Sequence, residues 1–522
     1  MLIHRQTASL PKSLQYIFLA FGATLYLYPF MRFLSTGGDE GTLINGAVRV
    51  TEGQVPFRDF FEVMGPGTFY WLAGFFKLFG TNLLATRIAL MLTTVIMTLL
   101  IYFLSTRLIG RFGLLPAVFF VATAFPPWPA ISHHSLSNLF ALFSLIAWIL
   151  GVERRQPVLL FMTGLLAGLT TCVMQPKGCL LFMSFLLLFW LHRRQETAFV
   201  LSVGPLFAGY SIVAVAVLLY FWAVRALPDL VYANAVWPFT NYTKINAVPY
   251  GLGLSGYWNL WMESISSSIS PIVGPCIASL LIIPFLAIAA LPLLLVLFAM
   301  RNKSLAFTQD RLPYWLTGTA VWLSEIHRKD ITHLVYGSPI LILLCFHLYG
   351  RVQSRFNLVA FRVIAVCSIF LMAFNWFVVE AAQTKTVTRR GTLHTFGADG
   401  TLGFLNAHIA PGEEIFVYPY RPMYYFLAAA KNPTRYSILM YQMNTDSQLR
   451  EVVRSLEEHK VRYVLWDTAF ERDKVKTWFP EYRPPLPQEL VIEPYLLQHY
   501  RMLENNDDWR ILERDDAWSS PM

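Results

Sequence analysis

Eleven apolar stretches run through most of this 522-residue chain. They fall near Leu14–Leu34, 84–105, 112–131, 135–152, 157–174, 179–192, 197–224, 271–300, 312–326, 333–350 and 357–379. A bilayer core is crossed by about 20 residues of helix. Inside it every backbone N–H and C=O must be satisfied within the segment, which leaves helices as the solution for isolated apolar runs. The runs at 157–174, 179–192 and 312–326 are the short ones. Charged residues make up 14% of the chain, against roughly 25% in soluble domains. The first run follows His4, Arg5 and Lys12, is too long for a signal-peptide core, and precedes no small-x-small cleavage site. It reads as a retained first helix. The expected class is a polytopic α-helical membrane protein with about eleven transmembrane helices.

The net charge of +9 does not point to nucleic acid, because the basic residues sit in short loops between apolar runs and form no continuous face. They sit in alternate loops: Arg5 and Lys12 before the first run, then Arg107 and Arg111, Arg154 and Arg155, Arg193 and Arg194, Arg301, Lys303 and Arg311, and finally Arg351 and Arg355. The positive-inside rule places these loops and the N-terminus in the cytoplasm. Eleven crossings then put everything after about residue 380 on the opposite side of the inner (plasma) membrane. The five cysteines, Cys172, Cys179, Cys276, Cys345 and Cys367, lie in or beside apolar runs without metal or disulfide spacing, and are read as packing residues.

The chain divides into a transmembrane part, 1–380, and an extracytoplasmic domain, 381–522. Two outward loops are long: 36–83, polar and aromatic, and 225–270, rich in Trp, Tyr, Asn and Pro. In the first, Gly41–Gly53 and Thr68–Phe79 read as helices with an apolar side, lying on the membrane surface. In the second, Asn234–Tyr250 offers stacking surfaces for a sugar or lipid headgroup, or an aromatic interface belt. In the tail, Ile415–Tyr418 and Val461–Trp466 read as buried strands. Ser447–Glu458 reads as a helix with a stripe of Leu449, Val452, Val453 and Leu456, capped by Asp446 or Ser447. Strand, helix, strand, helix, strand is expected to build a small parallel α/β layer. No glycine-rich phosphate loop follows these strands.

The densest chemistry lies in the outward loops, where functional residues concentrate. After the first run comes Gly37-Gly38-Asp39-Glu40-Gly41, and adjacent carboxylates at a membrane exit are expensive if buried. They also suit the first turn of a helix. Pro56-Phe57-Arg58-Asp59-Phe60-Phe61-Glu62 follows. Ser132-His133-His134-Ser135 occupies the second outward turn, Gln175-Pro176-Lys177-Gly178 the third, and Arg328-Lys329-Asp330-Ile331-Thr332-His333 a later one. An Asp-Glu pair after the first helix, a long outer loop with two helices and an Arg (Arg87) opening helix two resemble the GT-C glycosyltransferases. Within them the chain is similar to the protein O-mannosyltransferase and aminoarabinose-transferase group (family 39-like). The resemblance covers nearly the whole chain, including a C-terminal periplasmic domain.

The resemblance implies an enzyme that moves a sugar from a polyprenyl-phosphate-linked donor to an extracytoplasmic acceptor, with inversion. Asp39 is then the general base and Glu40 orients the acceptor or holds Asp39. The leaving phosphate calls for cations or donors, for which Lys177 stands first, with Arg328, Lys329, His333 and Arg58. Lys177 could equally be an interfacial lysine reaching for water. Asp59, Asp330, His133 and His134 complete the candidate substrate-binding set. Asp59 could instead cap its loop. No metal site is assigned; a divalent ion on the histidine pair is a possibility only if a third ligand joins it. The expected partners are the donor lipid, the acceptor and membrane lipids. Two rivals stand beside the enzyme: a transporter or flippase of lipid-linked or envelope substrates, and a non-catalytic envelope assembly protein. Against the transporter, no two-half repeat is visible and the ionisable residues cluster at outer ends.

Overall fold

A computed structural model describes residues 11–33, 38–109, 113–124, 130–193, 203–242, 245–266, 272–352, 354–471, 473–505 and 509–515. Arg5, Gly37, Arg111, Arg194 and the Thr243 of an Asn-x-Thr triplet lie outside the described residues. Among the described residues, each of the eleven apolar runs overlaps one helix or, for 333–350, two. The chain begins with α1 (Lys12–Leu27), extended by a 3₁₀ turn, Tyr28–Arg32. The first outer loop then carries α2 (Gly38–Thr51) and α3 (Pro66–Phe79). At 14 residues each, and about 1.5 Å per residue, neither reaches across a hydrocarbon core. There follow α4 (Leu83–Ile109), α5 (Leu114–Ala124), α6 (His133–Arg154), α7 (Pro157–Val173), α8 (Gln175–Arg193) and α9 (Gly204–Ala223). The second long loop folds into α10 (Leu227–Val231), α11 (Trp237–Thr240) and α12 (Leu254–Ser266). The bundle closes with α13 (Val273–Arg301), α14 (Lys303–Ala306), α15 (Leu312–Leu323), α16 (Ile331–Gly337), α17 (Pro339–Arg351) and α18 (Arg355–Ala381).

Six described helical stretches are long and apolar enough to cross a membrane: Lys12–Arg32, Leu83–Ile109, His133–Arg154, Gly204–Ala223, Val273–Arg301 and Arg355–Ala381. A seventh is reached if α16 and α17, bent by 70°, count as one span. The bend sits where Pro339, which has no N–H and cannot continue a preceding helix, follows Ser338. The helices α5 and α7, with the Gln175–Leu191 part of α8, are apolar but shorter. The expected outward turn at Gln175–Gly178 is in fact the first turn of α8, and only Met174 separates it from α7. This tight pairing depends on Gly178, where a Cβ would lie 2.1 Å from the Thr171 backbone N.

The tail opens with an unexpected antiparallel hairpin, β1 (Thr384–Thr388) and β2 (Gly391–Thr395). It continues through α19 (Gly400–His408), β3 (Ile415–Tyr418), α20 (Met423–Leu427), α21 (Asp446–Glu458), β4 (Tyr463–Asp467), α22 (Ile492–His499), β5 (Tyr500–Asn505) and β6 (Trp509–Arg514). The sheet order is β3-β4-β6-β5. Only β3 and β4 are parallel, while β6 runs antiparallel to both β4 and β5. The expected all-parallel layer is therefore corrected to a mixed sheet. The crossover through α21 permits a parallel pair, whereas the three residues between β5 and β6 permit only a hairpin. The cap of α21 is Thr445, in a reciprocal capping box with Gln448, and not Asp446 or Ser447.

Tail and membrane part share one core. Met423, Tyr424, Tyr425 and Phe426 of α20 are buried in the same cluster as Leu43, Ile44 and Ala47 of α2. A second cluster joins Phe57 and Phe61 of the first outer loop and Trp237 of α11 to Phe416, Tyr436 and Trp466 of the tail.

Candidate functional site

The two carboxylates of the Asp39-Glu40 pair open α2 but face different ways, since neighbours on a helix are about 100° apart. Asp39 is exposed, and Glu40 is 2% exposed. Glu40 forms a bidentate pair with Arg87 of α4, at 2.8 and 3.1 Å. Its Oε1 also accepts the Ile131 N–H at 2.9 Å, just before α6. Glu40 therefore ties three elements together and fixes the helix that presents Asp39. Fork-to-fork pairing of this kind adds geometric specificity as well as attraction.

Around Glu325, in the turn after α15, a second group gathers. Lys177 is fully buried, with Nζ 2.8 Å from Glu325 Oε1 and 2.7 Å from Asn138 Oδ1. It points into the bundle and does not reach for the interface, because the α7–α8 pairing sets its residue on the inner face. Asn138 in turn donates to the Tyr336 carbonyl at 2.7 Å. His134 Nδ1 lies 3.0 Å from Glu325 Oε1 and 2.9 Å from Oε2. The His133 and His134 rings meet at 4.0 Å, tilted by 38°, and the His333 ring meets His134 at 4.9 Å.

Asp330 caps α16 by accepting the His333 N–H at 3.1 Å. The same carboxylate holds His333 Nδ1 at 2.9 Å and Arg328 Nε at 2.8 Å. Burial alone would raise the Asp330 pKa, but His333 and the Arg328 guanidinium outweigh it and hold it well below the usual carboxylate range. Arg328 also donates to Asn246 Oδ1 at 3.1 Å and to the Trp478 carbonyl at 2.6 Å. Lys329 is exposed, and its carbonyl accepts the Gly251 N–H at 2.7 Å.

Among the described residues, His134, Glu325 and His333 form the group able to hold a metal ion, with one ligand atom from each within 4.8 Å of the others. Lys177 occupies Glu325 Oε1, and Glu325 Oε2 is buried and accepts no well-aligned hydrogen bond although His134 Nδ1 lies 2.9 Å from it. Two imidazoles and a carboxylate suit a zinc-like ion, and Asp330 on His333 Nδ1 is the outer-shell carboxylate such histidines carry.

Arg58 and Asp59 stand apart from this group. They pair with each other at 2.8 Å; Arg58 donates to the Val224 carbonyl at 2.7 Å, and Asp59 accepts the Val55 N–H at 2.7 Å. The Arg58 hydrogen bond holds the Asp59 carboxyl below its ordinary range.

Four residues of the site escaped the sequence reading. Glu325 had a signal: it is the one carboxylate inside the apolar run 312–326, and ionisable groups in such runs are costly unless used. Asn138 had none beyond being polar in a helix. Glu62 lies between α2 and α3, 7% exposed, and burial pushes its carboxyl up to about 8. Tyr420, from the segment after β3, donates to Asp39 Oδ1 at 3.1 Å. Burial and the Asp39 charge raise the Tyr420 phenol well above its usual range, which keeps it a donor.

Neither the family models nor the curated proteins contain a match to this chain. Solved structures do. ArnT from Cupriavidus metallidurans bound to undecaprenyl phosphate superposes with a TM-score of 0.57 at 12% identity, over 98% of this chain and 99% of that one. The archaeal oligosaccharyltransferase AglB from Archaeoglobus fulgidus, in complex with an inhibitory peptide and a dolichol-phosphate, gives 0.54 at 11% identity, over 98% of this chain and 76% of that one. With its apolar helices, its two-helix first outer loop and its C-terminal sheet domain, this chain has the fold of the GT-C glycosyltransferases.

Proposed function

We propose that this chain is a multi-pass inner-membrane glycosyltransferase. It transfers a sugar from a polyprenyl-phosphate-linked donor to an acceptor outside the cytoplasm. Both similar structures were solved with a polyprenyl-type phosphate, which supports the donor class. The observation that carries the reading is the exposed Asp39 carboxylate, presented by a rigidly tied helix at the same end of the bundle as the Lys177–Glu325–His134–His333–Arg328 group.

In the reaction, Asp39 takes the proton of the acceptor's nucleophile as that atom attacks the anomeric carbon. The bond from that carbon to the phosphate oxygen breaks, and the electron pair leaves with the phosphate. Attack opposite the phosphate inverts the centre. Positive charge developing on the sugar is favoured by the nearby carboxylates, by analogy with glycoside hydrolysis. Of the cations considered for the phosphate, Lys177 is neutralised by Glu325, and Arg328 has its donors on Asp330, Asn246 and Trp478. Lys329, exposed, is the better group for that role. A divalent ion held by His134, Glu325 and His333 would supply Lewis-acid stabilisation of the leaving phosphate.

In a strain lacking the gene, membrane extracts should accumulate a polyprenyl-phosphate-linked sugar. The wild-type gene should clear it and Asp39→Asn should not, while both proteins reach the membrane equally. Asn keeps the size and helix-starting preference of Asp but cannot accept the proton. Clearance by Asp39→Asn comparable to wild type would remove the base from the mechanism.

A further inference from the structure

We infer that Tyr420, supplied by the C-terminal domain, is a positioning residue for Asp39, an inference that rests on Asp39 being the base. The phenol donates to Oδ1 at 3.1 Å, which leaves Oδ2 to meet the acceptor's proton. The approach of the tail is written into α2. A Cβ on Gly38 would lie 2.4 Å from Tyr420 Cε1 and 2.6 Å from the Tyr420 carbonyl oxygen, and one on Gly41 would lie 2.5 Å from the Met423 backbone N. The glycines on either side of the Asp39-Glu40 pair are therefore the docking face for residues 420–423, and no side chain fits between them.

Tyr420 is braced as well as placed. Its ring meets Phe479 at 6.0 Å and 82°, and Phe479 lies under the Arg328 guanidinium at 4.9 Å. Arg328 donates to the neighbouring Trp478 carbonyl at 2.6 Å. The tail thus touches both the loop that carries the base and the loop that carries the Arg328–Asp330–His333 group. A donor on one oxygen of a carboxylate fixes the orientation of the group and leaves its other oxygen free to accept. The other groups whose charge bears on Asp39 are Glu62 from the α2–α3 connection, Tyr242 from the loop after α11, and Tyr336 from α16. Glu40, next in the chain, is held by Arg87, and Arg328 acts on Tyr420. None of these donates to Asp39 among the described hydrogen bonds, so the phenol is the contact to remove.

The test needs no identified sugar. A water-soluble carbodiimide modifies carboxyl groups that it can reach, and mass spectrometry of the Asp39 peptide reads its labelling rate at one fixed pH in the purified full chain. Tyr420→Phe keeps the ring against Phe479 and Gly38 and removes only the hydroxyl. The labelling rate of Asp39 should rise severalfold, because the phenol no longer occupies Oδ1. Phe479→Leu, which loosens the brace and keeps the phenol, should raise it by less. An unchanged rate in Tyr420→Phe, with melting temperature unchanged, overturns the inference. Should Tyr420→Phe fail to fold, an unchanged rate in Phe479→Leu does so instead. The base reading stands or falls separately, on clearance of the donor lipid by Asp39→Asn.

Discussion

Two buried ion pairs make individual side chains decisive. Glu40 and Arg87 are each 1% exposed at the side chain and share two hydrogen bonds. Removing one member leaves an uncompensated buried charge, which costs about 3–5 kcal/mol. Arg87→Ala should therefore lower the melting temperature in detergent sharply, and the loss should exceed that of Arg58→Ala, whose pair is exposed. Lys177→Met and Glu325→Gln should each destabilise for the same reason. Their double variant should recover much of the loss, because the two charges leave together. If the double variant equals the sum of the singles, the pair does not interact as its 2.8 Å separation implies. Glu62 carries a pH signature. Its carboxyl is raised from 4.5 to about 8 by burial, so between those values the folded protein holds a proton that the unfolded chain has lost. Stability must then fall as pH rises across that window. Glu62→Gln should flatten the fall, measured as melting temperature against pH.

Helices here are positioned by what their smallest residues allow. The first turn of α2 meets the tail through Gly38 and Gly41, and α8 meets α7 through Gly178. Gly41→Val would drive a branched side chain into the Met423 backbone. The expected outcome is a tail released from α2, seen as faster proteolysis between residues 381 and 522 with the transmembrane part still folded. An unchanged proteolytic pattern would mean that the tail is held by the Phe61–Tyr436 and Arg49–Thr434 contacts rather than by the glycine face. Apolar periodicity located each of these helices, but length alone separates six or seven spans from the shorter apolar helices. The break at Ser338-Pro339 shows why: one apolar run became two helices at 70° because proline has no N–H to donate to the preceding turn.

For the whole molecule, the sidedness of charge sets the expected orientation. Arg107 at the end of α4 pairs with Glu153 near the end of α6 at 2.5 Å, so basic exits of different helices meet at one end of the bundle. The Asp39, Glu325 and His333 ends meet at the other. A phosphatase reporter fused after Met522 should be active only in the extracytoplasmic compartment, and activity in the cytoplasm would invert the topology. The tail buries α20 against α2 and puts Tyr420 on Asp39.

The amino-acid sequence by itself determined where most of the helices are and that the chain has the make-up of a multi-pass membrane protein. Those properties are local sums of apolar and basic residues over one or two turns, and no distant partner can change them. The tertiary structure alone decided which of those residues meet. Glu40 went to Arg87, 47 positions away; Lys177 turned inward to Glu325; Asp59 stayed with Arg58; and Tyr420 arrived from 381 positions along the chain. A buried charge must find a partner of opposite sign or a donor. The choice among several depends on how helices pack, which in turn depends on glycines and proline at a few contacts that carry no periodic signal. The same holds for the tail, where strand positions were legible but the direction of β6 followed from a connection too short to cross over.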